Sequence, residues 1–273
     1  MRPISLIRVL QVGLARQPSF YFRLLLALRR GSPEKRICLT LPFMGKTALD
    51  LGANKGYFSI LLSDLVGACG RVHSFEPVPE TFARLSARMT AESWHDNIRL
   101  HACAVSDKNG EAIINLPGKD DGQASLTRHQ RGSWQSAAQV REFRVRTVRL
   151  DDYLAGERVD FVKCDVEGAE LAALTGMSNI LRRCQPLLLI EVCADWLRDF
   201  GHDPTVLHGF LATAGYDRFF LATNPPQIIT RPEVAFAGPL AEGAHNVLCV
   251  PVSRANWIAR HAEYYAAPPA LAI

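Results

Sequence analysis

The chain has 273 residues, 48% of them apolar, and a formal net charge of +4. That length and apolar content suit one large core with extensions, and no apolar run approaches the ~20 residues of a bilayer span. Residues 1–36 carry eight Arg and Lys against one Glu, which leaves the rest net negative by three and argues against a nucleic-acid partner.

At the start, Leu6, Ile7, Leu10 and Leu14 share one helical face, Pro18 interrupts, and Phe20 to Leu28 form a second apolar segment. This predicts a basic helical N-terminal arm over residues 1–45 that caps the domain or another subunit. A homo-oligomer and a peripheral membrane contact through residues 1–36 both stay open. An Arg-rich, acid-poor start also matches an organelle transit peptide, and no secretory cleavage pattern is present.

From Lys46 strands and helices alternate, which predicts an α/β Rossmann-like domain over residues 46–252. Thr47 to Leu51 is an apolar run of the buried parallel kind, and Phe58, Leu61, Leu62 and Leu65 follow on a helical period. Between them Gly52 and Gly56 bracket a tight turn, where a missing Cβ permits close backbone approach and the helix offers free N–H groups. The dinucleotide spacing Gly-x-Gly-x-x-Gly is absent, which weakens an oxidoreductase reading. Asp50, two residues before Gly52, disfavours a pyrophosphate and suits a cation such as the ammonium end of S-adenosylmethionine.

Strand two is expected over Arg71 to Phe75 with Glu76 at its end, a helix from Pro79 to about Met89, and strand three over Asn97 to Val105. Glu111 to Leu116 and Phe143 to Leu150 suit antiparallel pairing around a long polar insertion at residues 117–140, a length that marks functional or disordered loops. Val159 to Asp165 is strand four, Glu167 to about Arg183 a helix, and Pro186 to Val192 strand five with Glu191 near its end. Asp203-Pro204 opens a helix to Ala214, Tyr216 to Ala222 and Asn246 to Val252 are the last strands, and residues 253–273 form a tail. Seven cysteines make no Cys-x-x-Cys pair, and Cys103, Cys164, Cys193 and Cys249 sit in apolar runs. They read as reduced core residues of a cytoplasmic protein.

Parallel α/β sheets bind ligands at the carboxyl ends of their strands. Asp50, Glu76, Asp165 and Glu191 all fall there, and a carboxylate such as Glu76 accepts both hydroxyls of a ribose. Cys103 to Asp107, at the third strand end, is small and apolar enough to wall an adenine. Glu167 and Glu170 open a helix, where acids are favoured by the dipole whatever their function, and Lys163 shares a strand face with Asp165 and pairs with it. His73 reads as a core histidine, while His202 and His208 lack convincing partners.

Asp50-Leu-Gly-Ala-Asn-x-Gly-x-Phe58, Phe75-Glu-Pro77, Ala104-Val-Ser106, Leu150-Asp-Asp152, Val162-Lys-Cys-Asp-Val-Glu-Gly-Ala-Glu170, Pro186 to Glu191 and His245-Asn-Val247 together resemble the FkbM-type methyltransferases. The resemblance spans about residues 46–251, and the segment from Lys163 to Glu170 is its most specific piece. It implies a class I methyltransferase fold, a mostly parallel seven-stranded sheet with helices on both faces, and methyl transfer from S-adenosylmethionine to a hydroxyl of a sugar, glycan, glycolipid or natural product. The cofactor residues it implies are Asp50, Gly52, Ala53, Asn54, Gly56, Phe58, Glu76, Pro77, Ala104, Val105, Ser106 and Asp165. Asp165, Glu191 and His245 are the candidates on the acceptor side. Asp165 and Glu191 have the chemistry to hold Mg²⁺, although no spacing demands a metal. The competing readings are a Rossmann-fold oxidoreductase and a non-catalytic partner protein that works through its basic arm.

Overall fold

The structure, a computed structural model, describes residues 32–91, 96–118, 121–130, 133–136, 139–223, 225–236 and 243–256. The helices expected over residues 4–30, and most of the tail, lie outside the described residues. Helix α1 (Pro33–Leu39) starts on a proline, whose missing N–H is no loss in a first turn. Strand β1 (Thr47–Leu51) and helix α2 (Tyr57–Val66) flank the glycine turn. Next come β2 (Arg71–Phe75), α3 (Pro79–Ala91), β3 (Ile98–His101), β4 (Ala104–Val105) and β5 (Gly110–Pro117). The insertion holds a short helix α4 (Ser133–Ser136) and leads into β6 (Val140–Val148) and α5 (Leu150–Tyr153). The chain continues through β7 (Phe161–Cys164), α6 (Glu170–Thr175), α7 (Ser178–Cys184), β8 (Leu187–Val192) and α8 (Ala194–Asp199). Helix α9 (Pro204–Thr213), capped by the Asp203 side chain, β9 (Tyr216–Leu221), β10 (Gln227–Ile228), α10 (Pro232–Ala235) and β11 (His245–Pro251) complete it.

The main sheet runs β10-β9-β11-β8-β7-β1-β2-β3. Strands β3, β2, β1, β7 and β8 are parallel neighbours, and β11 runs antiparallel between β8 and β9. This is the expected seven-stranded, mostly parallel sheet, with the two-residue β10 added at its edge. Alternation along each strand divides the core between the two faces. Leu49, Leu51, Val162, Cys164, Leu188 and Ile190 pack with Leu171, Leu174, Leu181 and Leu211 of α6, α7 and α9. Ala48, Phe161, Leu187 and Leu189 face the other way, against Leu61, Leu62 and Val66 of α2 and Ile37, Cys38, Leu41 and Phe43. Residues 37–43, expected in the arm, are thus part of the second core face.

Two elements differ from the sequence reading. The strand expected over Asn97 to Val105 is two strands: β3 pairs with β2, while β4 joins β6 and β5 in a separate three-stranded sheet. Cys103 and Val105 face the main core there, while Ala104 packs with Ile114, Leu116 and Val145. The helix expected from Glu167 starts instead at Glu170, because Glu167 takes the left-handed region at φ 54°. It also breaks at Gly176, where a Cβ would stand 1.9 Å from the Ser106 carbonyl oxygen.

Gly52 sits at φ 80°, and a Cβ there would lie 1.9 Å from the Asp165 carbonyl oxygen, so β7 closes over the glycine turn. Gly45 has a similar φ of 71° but nothing within 4 Å of its Cβ position. Gly52→Ala is therefore expected to cost about 2–4 kcal/mol, from strain plus overpacking, whereas Gly45→Ala costs about 1 kcal/mol. Denaturant titration of both variants checks the difference; equal costs would mean that the Asp165 carbonyl yields freely.

Candidate active site

The β1–α2 turn, the ends of β2 and β7, and part of the insertion enclose a cavity of about 330 Å³. Asp50 closes its floor, fully buried, with Oδ2 accepting from Ser59 Oγ at 2.6 Å. Burial pushes the Asp50 carboxyl above the usual range, opposed by Lys163 and by the Ser59 hydrogen bond. At the end of β2, Glu76 accepts from the Asn54 N–H and the Val78 N–H, both at 2.9 Å. Both of its oxygens are thereby fixed at the cavity by backbone amides.

Gly52, Ala53, Asn54, Phe58, Pro77, Ala104 and Val105 line the cavity, as does Asp165. Gly56 and Ser106 are not among the lining residues. A Cβ on Gly56 would meet Leu85 Cδ1 at 2.5 Å, so this glycine admits α3, and Ser106 Oγ donates to Asp107 at 3.1 Å. Glu191 and His245 also fall outside the lining, on neighbouring strands where Val192 pairs His245 and Glu191 pairs Asn246.

The register of β1 on β7 sets Asp50 beside Lys163, on the same face of the sheet. Lys163 is 3% exposed, donates to Asp165 Oδ2 at 2.7 Å and lies 4.8 Å from the centre of the Phe58 ring. Burial works against its ammonium, but the charges of Asp165 and Asp50 overcome this and raise its pKa. Asp165, Glu167 and Glu191 each place a carboxylate oxygen within 4.8 Å of the others. Burial also opposes ionisation of Asp165, yet the Lys163 charge and hydrogen bond hold its carboxyl below the ordinary range. Burial, then the Asp165 charge, pushes Glu191 up to about 9 and Glu167 up to about 10. Burial thus favours the protonated form of both glutamates, while Lys163 favours the ionised form of Asp165.

Glu170 is different. Its Oε1 accepts from the Val166 N–H at 3.1 Å and the Gly168 N–H at 3.2 Å, fastening the turn after β7. Burial raises its carboxyl to about 7. Asp50 Oδ1, Asn54 Oδ1, Glu167 Oε2 and Glu191 Oε2 are buried without a hydrogen-bond partner. Such atoms call for a ligand with an ammonium and hydroxyl donors, which S-adenosylmethionine carries. The three grouped carboxylates also have the oxygen chemistry of a divalent-cation site.

A family model describing the methyltransferase FkbM domain matches residues 50–218. The chain belongs to this family. It is thereby a methyltransferase by family, on the Rossmann-like sheet described above. It is also similar to Methyltransferase 1 of Beauveria bassiana, 23% identical over 174 residues that cover 58% of this chain and 69% of that one. Among solved structures it is similar to the methyltransferase FkbM of Methylobacillus flagellatus, at 19% identity and a TM-score of 0.45, over 77% of this chain. The match spans only 44% of that longer protein. A SAM-dependent methyltransferase from Aquifex aeolicus aligns at 15% identity and a TM-score of 0.43, over 81% of this chain and 89% of that one.

Two site features escaped the sequence reading. Lys163 is a buried counter-ion to several acids, not simply a partner of Asp165. His129, in the insertion, is 5% exposed and bonds Asp199, Ser125 and the Glu167 carbonyl. Only the length of the polar insertion hinted at it, because Asp199 lies 70 residues away in sequence.

Raised folded-state pKa values at Glu167 and Glu191 mean that the folded protein holds protons which the unfolded chain has released. Their contribution is fully present below the unfolded glutamate pKa and is lost as pH rises through the folded values of about 10 and 9. The ligand-free protein should lose thermal stability between about pH 5 and pH 9, and Glu167→Gln should flatten that slope. Melting curves across this range check it; a slope unchanged by Glu167→Gln would show an ordinary, solvated carboxylate.

Proposed function

We propose that the protein methylates a hydroxyl oxygen of a sugar, glycan, glycolipid or natural product. The observation that carries this reading is Asp165, which lines the cavity, accepts a hydrogen bond from Lys163 at 2.7 Å and shares a carboxyl cluster with Glu167 and Glu191. A hydroxyl is a poor nucleophile until its proton leaves, and a positioned carboxylate is the group that takes it. Asp165 accepts that proton. Protonated Glu191 donates to Asp165 and positions it, and His245, at the start of the adjacent strand, stands further back.

Glu76 would accept the ribose hydroxyls, Asp50 Oδ1 the methionine ammonium, and Ala104 and Val105 would wall the adenine. Bound there, S-adenosylmethionine supplies an electrophilic methyl carbon. The insertion brings Ala124 and Leu126 to the same cavity, where they pack against the cluster that holds Ala104. The basic segment 1–36 suits an anionic membrane surface, where glycolipid acceptors are found. Among the described residues no helix is long and apolar enough to cross a membrane.

Glu76→Ala should weaken S-adenosylhomocysteine binding by about 1.5–3 kcal/mol in a calorimetric titration, through loss of charge-assisted hydrogen bonds. NAD binding in place of S-adenosylhomocysteine would overturn the reading. A mass-spectrometric screen of sugar, glycolipid and polyketide acceptors should find a gain of one methyl. With that acceptor, Asp165→Asn should lower kcat roughly 10²–10⁴-fold while changing cofactor affinity less. Wild-type turnover by Asp165→Asn would remove its role as base, and loss of wild-type activity to a chelator would make the carboxylates Mg²⁺ ligands instead.

A further inference from the structure

Glu167 is one of the few non-glycine residues described with positive φ, at 54°, and Gly168 follows at 96°. Left-handed backbone at a glutamate costs about 1–2 kcal/mol and persists only where its surroundings impose it. The surroundings here come from the insertion. Ser125 Oγ donates to the Glu167 carbonyl at 2.7 Å, and His129 Nε2 lies 2.9 Å from the same oxygen. A carbonyl only accepts, so Nε2 carries the proton and donates.

The imidazole is itself fixed. Its Nδ1 lies 2.9 Å from Asp199 Oδ2 of α8, its face stacks on Trp196 at 5.2 Å, and it meets the Trp134 ring in a T-shaped contact at 5.3 Å. Ser125 is held in turn by a two-way backbone bridge with Asn115 of β5, at 2.8 and 2.9 Å. On the far side of the turn, a Cβ at Gly168 would meet the Phe200 ring at 2.9 Å and Trp196 Cβ at 3.0 Å. Ser125, His129 and Asp199 line up as a nucleophile, base and acid would. That role is closed to them, because Ser125 is 1% exposed and spends its proton on the Glu167 carbonyl.

The geometry points to Ser125 and His129 as positioning residues for the methyl transfer: the insertion grips the Glu167 carbonyl and so holds the Glu167 carboxyl in the cavity beside Asp165 and Glu191. The insertion is then more than a wall, since its seating and the placement of an acceptor-side acid are one event. What the acid does there rests on the hydroxyl-methylation reading; how it is held does not.

The test needs no acceptor. Carbon-detected NMR follows the side-chain carboxyls through a pH titration of the full chain, with the Glu167 signal assigned by its absence in Glu167→Gln. In the wild type it should titrate near 10, because burial and its acidic neighbours oppose ionisation. In Ser125→Ala and in His129→Gln the midpoint should fall toward the ordinary glutamate range by about 1 pH unit or more, as the turn relaxes and the carboxyl reaches water. Ser125→Thr, which keeps the hydroxyl, should restore it. A purely structural clamp would lower the melting temperature without moving this titration. An unmoved midpoint in either variant that still melts cooperatively overturns the proposal. So does failure of both variants to fold, which would make the pair a general structural clamp. Absence of S-adenosylhomocysteine binding in the wild type would sink the transfer reading instead, and leave the titration result standing.

Discussion

A single buried ammonium among carboxyls governs this site. Lys163 sits on a central strand, 3% exposed, with Asp165 at 2.7 Å and Asp50 beside it in register. Moving charges out of water costs several kcal/mol per ion, so such a pair survives only with close geometry and further partners. One cation cannot neutralise Asp50, Asp165, Glu167 and Glu191 together. Burial, and then the Asp165 charge, pushes Glu191 and Glu167 up to about 9 and 10, so that protons make up the difference. Burial therefore favours protons on Glu167 and Glu191 beside the Lys163 ammonium.

The rest of the fold serves that arrangement. Parallel pairing of β1 with β7 sets Asp50 against Lys163, and a shift of one residue would send one of them to the opposite face. Gly52 lets the Asp165 carbonyl approach, so the cofactor turn and the acid-bearing strand are locked to each other. Glu170 ties the next turn through the amides of Val166 and Gly168, and the insertion grips the Glu167 carbonyl from the other side. Strain at Glu167 is held by the insertion at its carbonyl and by Glu170 at the amides of Val166 and Gly168.

Much of this was legible in the sequence because α/β sheets obey a positional rule: ligands sit at strand carboxyl ends. Asp50, Glu76 and Asp165 could be placed from strand pattern alone, and all three line the cavity. What escaped depended on contacts far apart along the chain. The link between His129 and Asp199 has no local periodicity, and the short helix α8 that carries Asp199 and Trp196 gave no clear signal. The apolar run through Asn97 to Val105 reads as one strand, yet neighbouring residues serve two different cores. Periodicity also ran the helix through Gly176, because only the fold brings the Ser106 carbonyl against that turn.

The central claim is that protons, together with the Lys163 ammonium, balance the carboxyl cluster. The direct measurement is calorimetric titration with S-adenosylhomocysteine at about pH 7.5, in several buffers of different ionisation enthalpy. An ammonium arriving at Asp50 lowers the pKa values of the carboxyls around it, so the account predicts net proton release on binding, reduced when Glu191→Gln and Glu167→Gln are combined. Binding with no proton exchange, or with proton uptake, would contradict it.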